Sequence, residues 1–268
     1  MTASLPFRTV ELSDPAFTGP GLRFATVKSK ALKRRADVSL FTPQGYAPKS
    51  LPLVILLHGV YGSHWAWALK GGAHRMLQRL VSRDEVPPMM LAMPSDGLWG
   101  DGSGYLAHQE ADYAAWIVDE VPAVAALVAP QVEGAPLFIG GLSMGGYGAM
   151  RLGALHSRRF RGISAHSSIT DYRQKQAFVE EPLDDFKLKP GEVTCVAEAI
   201  RMNRAHLPPL RFDCGTDDPL IEHNRKLHQT LRDEGIAHHY QEYPGGHTWR
   251  YWSAHLADTL RFFGGLVR

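Results

Sequence analysis

Residues 137–148 read "LFIGGLSMGGYG", and this stretch decides the fold. Its first five letters are an apolar run typical of a strand that is buried on both faces. The pattern after Ser143, "MGGYGAMRLGAL", is helical, so a strand turns directly into a helix at this serine. Such a turn crowds the backbone, and small residues two positions to either side, Gly141 and Gly145, prevent clashes across it. The stretch is predicted to be a nucleophile elbow, although the five-residue pattern alone also fits a serine in a glycine-rich loop.

The rest of the chain alternates between strand and helix patterns. Strands are predicted at 23–27, 35–42, 53–57, 89–93 (stopped by Pro94), 137–141, 162–167, 210–215 and 238–243. Helices are predicted at 72–82, 111–128, 144–156, 220–234 and 249–263. This alternation predicts an α/β fold, with a mostly parallel central sheet, helices on both faces and the first hairpin as an antiparallel edge.

Residues 170–209 do not follow this alternation. They are charged and punctuated by prolines, and they are too many for a plain connection. We expect a single domain over 1–268 in which 170–209 is a small cap inserted over the carboxyl edge of the sheet. Ligands bind at that edge in open parallel sheets.

Composition excludes several classes of partner. The formal net charge of +2 over 268 residues gives no global basic field for nucleic acid. The basic run at 28–37 lies between two predicted strands, so we expect a solvated hairpin face. No run approaches the roughly 18 apolar residues of a membrane span, and the N-terminal residues lack the apolar core of a signal peptide. These features predict a cytoplasmic protein without a membrane partner.

The chain shows no pattern for a metal or another cofactor. There is no HExxH motif and no cysteine–histidine cluster with zinc spacing. The two cysteines, Cys195 and Cys214, form no CxxC, and the sequence leaves open whether they pair. The stretch "GDGSG" at 100–104 has neither the lysine nor the following helix of a phosphate loop. It is expected to line the mouth of the site instead.

A serine nucleophile needs a base, which in turn needs a carboxylate. In hydrolases with this elbow the chain order is Ser, acid, His. "DCGTDDPL" (213–220) follows a predicted strand and offers Asp217 and Asp218, and "EYPGGHTWRYW" (242–252) offers His247. Among 13 histidines, His247 alone combines this order with a strand-end loop and glycine neighbours. On this reasoning either aspartate can be the acid partner of His247. Asp218 is favoured because the proline that follows it favours an extended backbone there.

A serine nucleophile that attacks a carbonyl group also needs hydrogen-bond donors for the oxyanion that forms. The strand at 53–57 ends at His58-Gly59, and the Val60 N–H is predicted to join the Met144 N–H in an oxyanion hole. We expect His58 to be a hydrogen-bonded structural residue. Four aromatic residues in loops after strand ends are candidate walls of an apolar pocket, although ordinary packing explains each equally well: Trp65, Trp67, Trp99 and Tyr105.

Four blocks of the sequence resemble a known family in order. They are "LLHGVYGS", "GLSMGGYGAMRLG", "CGTDDPLIEHN" and "YPGGHTWRYW", spread over about residues 50–260. They resemble the esterase D and tributyrin esterase group of α/β-hydrolases, which is related to S-formylglutathione hydrolases, antigen 85 and feruloyl esterases. The resemblance implies a triad of Ser143, Asp218 and His247 with Val60 and Met144 as oxyanion donors. It selects Asp218 because the family acid stands three residues after the glycine of its block.

The same resemblance implies a cofactor-free serine carboxylesterase that hydrolyses short-chain acyl esters of small molecules. Alternatives are an esterase acting on sugar-linked acetyl or feruloyl esters, an acyltransferase, or a thioesterase of the S-formylglutathione type. The last matches less well because its leading block carries a cysteine where this chain has "HGVYGS". A non-catalytic binding protein on a hydrolase scaffold is a further alternative, against which the intact Ser, Asp and His argue. The sequence leaves open whether the chain forms a homo-oligomer.

Overall fold

A nine-stranded sheet organises residues 7–267, the part of the chain that the computed structural model describes. Its strands are β1 Val10–Leu12, β2 Leu22–Lys28, β3 Arg35–Phe41, β4 Leu53–Leu57, β5 Met90–Pro94, β6 Leu137–Leu142, β7 Gly162–His166, β8 Leu210–Gly215 and β9 His239–Tyr243. They lie in the order β1-β2-β3-β5-β4-β6-β7-β8-β9. The first three pair antiparallel, β3 pairs antiparallel with β5, and the pairs from β5 to β9 are parallel. The predicted sheet, with its antiparallel edge, is confirmed.

Helices cover both faces of this sheet. They are α1 Ala73–Ser82, α2 Tyr113–Ala115, α3 Val121–Val128, α4 Met144–Leu155, α5 Val196–Met202, α6 Ile221–Asp233 and α7 Trp249–Leu266. Strand β4 shows why its sequence is continuously apolar. Leu53, Ile55 and Leu57 belong to one core, shared with α3 and α4, while Val54 and Leu56 belong to the opposite core, shared with α1 and α7. Burial on both faces leaves no position for a polar residue.

Some boundaries differ from the prediction. Pro94 does not stop β5 but is its last residue, aligned with Val38 of β3. A proline lacks the N–H of a ladder bond, so it fits the terminus of this strand better than its interior. Strand β1 was not predicted, and its three residues are too few for a periodic pattern. The helix predicted at 111–128 begins at Tyr113, and a π-helical turn, Trp116–Glu120, separates α2 from α3.

The basic run at 28–37 forms the predicted hairpin face. Its five lysine and arginine side chains are exposed. The tip of the hairpin is fixed through its backbone, since the Lys30 and Ala31 N–H groups both donate to Glu120 at 3.0 Å. Within residues 7–267, no helix is both long and apolar enough to cross a membrane. The sequence predicts that the N-terminal residues are not a signal peptide. Residues 1–6 of that stretch lie outside the residues that the structure describes.

The segment 170–209 contains short helical turns and α5 rather than regular alternation. Its later half packs on α4, where the Tyr147 hydroxyl donates to the Thr194 carbonyl at 2.9 Å and Arg151 pairs with Glu192. Its earlier half contacts the loop that follows β5. The Glu180 N–H, for example, donates to the Asp101 carboxylate at 2.8 Å. The segment therefore lies beside loops from the carboxyl edge of the sheet.

Candidate active site

The turn at Ser143 has a strained backbone. Ser143 lies between β6 and α4 with φ 53° and ψ −122°, a region that residues with a side chain rarely adopt. Its N–H donates to the His166 carbonyl of β7 at 2.9 Å, which ties the turn to the neighbouring strand. The side chain is 3% exposed. Because the surrounding structure holds this conformation, the hydroxyl is fixed at the amino end of α4.

The glycines around Ser143 lie where no side chain fits. A Cβ on Gly141 would come 2.3 Å from the Gly145 carbonyl oxygen, and one on Gly145 would come 2.3 Å from the Leu57 carbonyl oxygen. The sequence predicts small residues at both positions because the backbone is crowded across the turn at Ser143. Two further glycines of α4 lie against both loops and strands. A Cβ on Gly146 would come 3.0 Å from Ser168 Oγ and 3.3 Å from the Gly141 carbonyl oxygen of β6. One on Gly148 would come 2.6 Å from Tyr105 and 3.1 Å from Leu57 of β4.

The fold brings Ser143, His247 and Asp218 into one hydrogen-bonded chain. His247 Nε2 lies 3.0 Å from Ser143 Oγ. His247 Nδ1 lies 2.9 Å and 3.1 Å from the two carboxylate oxygens of Asp218. With Nδ1 donating to the carboxylate, Nε2 is left as the acceptor of the serine proton. The arrangement can therefore activate a hydroxyl as a nucleophile.

The two candidate aspartates lie in different environments. Asp218 is 2% exposed and faces His247, whereas Asp217 is exposed to solvent. Burial alone would raise the pKa of Asp218. Hydrogen bonds from His247 and from the Leu220 N–H, 2.9 Å away, hold that pKa below its usual range. The Asp218 carboxylate therefore stays ionised and can stabilise a charged imidazole.

The loop after β4 passes beside Ser143. A Cβ on Gly59 would lie 3.3 Å from Ser143 Cβ. His58 is 1% exposed, with Nδ1 2.7 Å from the Gly59 carbonyl and Nε2 accepting from the Asp96 N–H at 3.1 Å. Both ring nitrogens of His58 have hydrogen-bond partners within the fold, so His58 shapes this loop, as the structural interpretation expects.

Two backbone N–H groups near the serine are free to bind an anion. Neither the Val60 N–H nor the Met144 N–H donates to an acceptor within residues 7–267. The Met144 N–H belongs to the first turn of α4, where the helix dipole favours negative charge. These are the two donors that the sequence predicts for an oxyanion.

The four predicted pocket aromatics separate into two groups. Trp67 and Tyr105 are 1% and 0% exposed, and their polar atoms donate to the Leu57 and His58 carbonyls at 2.9 Å. They pack beneath the site and do not line an open pocket, which corrects the expectation for them. Trp65 is 43% exposed, and Trp99 is half-buried against Phe186. Only these two have surface that a substrate can reach.

A second aspartate–histidine pair lies under the site. His166 Nδ1 is 2.8 Å from Asp213, and its Nε2 is 2.8 Å from the Thr259 hydroxyl of α7. Burial alone would raise the pKa of Asp213, but His166, Arg211 and the Tyr251 hydroxyl hold it below its usual range. This imidazole contacts a threonine in the core instead of a reactive serine. The pair therefore fastens α7 to the sheet, and the His247 loop leads directly into α7.

Sequence reasoning missed a buried lysine in the segment 170–209. Lys175 is 1% exposed, its Nζ donates to the Gly102 carbonyl, and the ammonium lies 3.4 Å from the centroid of the Phe186 ring. Burial lowers the pKa of Lys175 to about 7. Other titratable groups that face it are Asp96, Asp101, Glu181, His108 and Tyr172. A lysine in a polar, irregular stretch carries no sequence signal for such burial.

This lysine makes stability depend on pH. In the unfolded chain a lysine keeps its proton up to about pH 10.4, so between about pH 7 and about pH 10 the unfolded state binds more protons than the folded state. We therefore expect the unfolding free energy of the wild type, relative to Lys175→Met, to rise by about 1–3 kcal/mol between about pH 6.5 and about pH 9.5. Urea unfolding of both proteins measures this difference. If the unfolding free energies of the two proteins instead change in parallel with pH, the pKa of Lys175 in the folded state is unshifted.

Neither cysteine forms a disulfide. Cys195 is half-buried, and Cys214 is buried in β8 with its thiol pKa raised by burial. Within residues 7–267, no three or more His, Cys, Asp and Glu side chains form a cluster that could hold a metal ion. The candidate site consists of Ser143, His247, Asp218 and the backbone N–H groups of Val60 and Met144.

Comparison with known proteins shows which family the chain is similar to. The model of the Esterase family, described as "Putative esterase", matches residues 29–263. An acetyl esterase from Caldicellulosiruptor saccharolyticus is 28% identical, and the match covers 87% of this chain and 94% of that protein.

Solved structures share the fold. A ferulic acid esterase superposes with a TM-score of 0.77 at 23% identity, covering 96% of this chain and 99% of its own. An S-formylglutathione hydrolase from Staphylococcus aureus gives a TM-score of 0.76 at 16% identity, covering 96% of this chain and 100% of its own. The predicted α/β-hydrolase fold is confirmed.

Proposed function

We propose that this chain, which belongs to the esterase family described above, is a serine carboxylesterase that hydrolyses short-chain acyl esters through an acyl-enzyme on Ser143. One observation carries the proposal. His247 Nε2 lies 3.0 Å from Ser143 Oγ, while the other ring nitrogen lies 2.9 Å from the ionised Asp218. A hydroxyl, a base and a carboxylate in this relation form the machinery of acyl transfer.

In the proposed acylation, His247 Nε2 takes the proton from Ser143 as Oγ attacks the ester carbonyl carbon. The carbonyl oxygen becomes an anion, which accepts hydrogen bonds from the Val60 and Met144 N–H groups. The intermediate collapses, the bond to the alcohol oxygen breaks, and Nε2–H gives its proton to that oxygen. Asp218 holds the imidazole in the required tautomer and stabilises its charged form.

In the proposed deacylation, a water molecule replaces the alcohol. His247 takes a proton from this water as its oxygen attacks the acyl carbon on Ser143. The same two N–H groups hold the second oxyanion. Collapse then releases the carboxylic acid and returns the proton to Ser143 Oγ. The cycle needs only a small-molecule ester and water.

The preference for short acyl chains follows from the segment 170–209, which we propose is a cap over the site. Its earlier part, "YRQKQAFVEE" (172–181), is largely polar and is tied to the loop after β5 through Asp101 and Gly102. A polar segment held in this way offers little apolar surface to a long acyl chain. The cap assignment and the preference are two parts of one proposal.

We expect kcat/KM on p-nitrophenyl esters to be highest between acetyl and butyryl and to fall at least about tenfold by octanoyl. Each methylene that a pocket cannot accommodate discriminates by about 1–3 kcal/mol, so a few suffice. Steady-state kinetics across the series from acetyl to dodecanoyl measures this. A steady rise to dodecanoyl would mean that the cap conceals an apolar channel.

A second candidate is an esterase acting on acetyl groups attached to sugars. The acetyl esterase relative supports the acetyl part of this candidate, since the match spans 94% of that protein. The sugar part is an alternative that the sequence leaves open. Release of acetate from acetylated xylan, compared with turnover of methyl ferulate and S-formylglutathione, separates this candidate from feruloyl and thioester alternatives. The cytoplasmic location and the lack of a nucleic-acid partner stay predictions.

A further inference from the structure

Phe178 lies against the face of the His247 imidazole. The two ring centroids are 5.3 Å apart and the ring planes meet at 29°, a stacked arrangement. Trp252 of α7 meets the same imidazole edge-on, with centroids 4.9 Å apart. Aromatic pairs of these geometries add stabilisation beyond the area that they bury. The ring that faces Ser143 is therefore held between α7 and the segment 170–209.

The direction of the reaction places the alcohol beside this imidazole. His247 Nε2 returns its proton to the leaving oxygen, so that oxygen comes within hydrogen-bond distance of the nitrogen. The rest of the alcohol then lies next to the ring. The carbonyl oxygen lies at the other side of the reacting carbon, toward the Val60 and Met144 N–H groups. A side chain stacked on the imidazole is thus a neighbour of the leaving alcohol.

Phe178 is fixed from both sides along the chain. Three residues before it, the buried Lys175 ammonium donates to the Gly102 carbonyl. Three residues after it, the Glu181 carboxylate accepts from the Asp101 N–H at 2.7 Å. These two ties hold the intervening residues against the loop after β5. The ring is half-buried, so part of its apolar surface stays accessible beside the site.

We propose that Phe178 is a specificity-determining residue, which forms one wall of the leaving-group subsite and favours esters of flat, apolar alcohols. This inference rests on the proposed function, since a reaction at Ser143 is what places an alcohol beside His247. An aryl alcohol gains contact with the phenyl ring, whereas methanol is too small to do so. In this proposal the contact with Phe178 belongs to the alcohol and not to the acyl group.

Two ester series test the proposal by varying one half of the substrate at a time. The first keeps the acetyl group and changes the alcohol, from methyl to phenyl to 1-naphthyl acetate. The second keeps p-nitrophenol and changes the acyl group from acetyl to butyryl. Because kcat/KM covers the steps through alcohol release, ratios of kcat/KM between variant and wild type cancel the intrinsic reactivity of each ester.

For Phe178→Ala we expect the ratio of 1-naphthyl to methyl acetate to fall about 3- to 10-fold, the range that a lost aromatic contact gives. The ratio of p-nitrophenyl butyrate to acetate should stay within about twofold of its wild-type value. Phe178→Leu keeps apolar bulk and should lose less of the first ratio. It also replaces the alanine variant if that variant does not fold. Phe17→Ala, at a side chain that is 90% exposed, is the matched control and should leave both ratios unchanged.

Three results would overturn the inference. The first is an equal fall of kcat/KM on every ester, which would mean that Phe178 only positions His247. The second is an unchanged ratio of 1-naphthyl to methyl acetate. The third is a change confined to the ratio of p-nitrophenyl butyrate to acetate. Failure of the proposed function is a different observation. In that case the wild type hydrolyses none of these esters, or Ser143→Ala hydrolyses them as fast as the wild type does.

Discussion

Ser143→Ala is expected to lower kcat on p-nitrophenyl acetate by about 10⁶-fold, the loss that follows removal of a triad serine in subtilisin. The variant keeps the base, the acid and the oxyanion donors but has no atom to form the acyl-enzyme. The fold should persist, because within residues 7–267 the side-chain oxygen of Ser143 makes its hydrogen bond with His247 alone. Steady-state kinetics on purified protein measures the loss, with circular dichroism and thermal unfolding as the check on folding.

Ser82→Ala is the matched control for this prediction. Ser82 is exposed at the end of α1, where its hydroxyl accepts a hydrogen bond from Gln78 at 3.1 Å. Its loss should leave turnover close to the wild-type value, since surface changes of this kind have small effects. Wild-type activity in a folded Ser143→Ala protein would remove the proposed nucleophile.

The second large effect separates two adjacent aspartates. Asp218→Asn should lower kcat by at least about a hundredfold and by as much as about 10⁴-fold, the cost of the wrong imidazole tautomer in a serine protease. An amide at this position can donate to Nδ1, which would leave the proton on Nε2 and block its role as base. Asp217→Asn should lose less than about tenfold because that side chain is exposed and His247 Nδ1 is hydrogen-bonded to Asp218 instead.

The pair serves as its own control, since both changes remove one charge from the same loop. Kinetics at neutral pH on the two folded variants gives the ranking. The reverse order would place the catalytic acid one residue earlier. Equal small losses would mean that His247 works without a carboxylate partner.

The sequence predicts the sheet well because its signals are local and strong. The continuous apolar runs of β4 and β6 are typical of strands buried on both faces, and each strand is found as expected. The residues of the elbow likewise follow from sterics, since a Cβ on Gly141 or Gly145 would meet backbone within 2.3 Å. The sequence also predicts that Ser143, Asp218 and His247 lie together, because the chain order of this fold assigns them to strand ends at one edge of the sheet.

What the sequence does not predict depends on contacts between distant segments. Lys175 and Phe178 lie in an irregular stretch with no periodicity, and their positions depend on the loop around Asp101 and Gly102. The buried pair His166 and Asp213 has no motif either, because its hydrogen bonds join β7, β8 and α7. Trp67 and Tyr105 follow strand ends like true pocket residues, yet they turn inward because their polar atoms find backbone carbonyls there.

Covalent labelling tests the central claim, that His247 activates Ser143, most directly. The wild type, Ser143→Ala and His247→Ala are each incubated with a serine-directed fluorophosphonate, and the adducts are located by mass spectrometry of the intact protein and its peptides. We predict one adduct on the wild type, on the peptide that contains Ser143, no adduct on Ser143→Ala, and much slower labelling of His247→Ala. An adduct on another serine, or labelling of His247→Ala at the wild-type rate, would contradict the account.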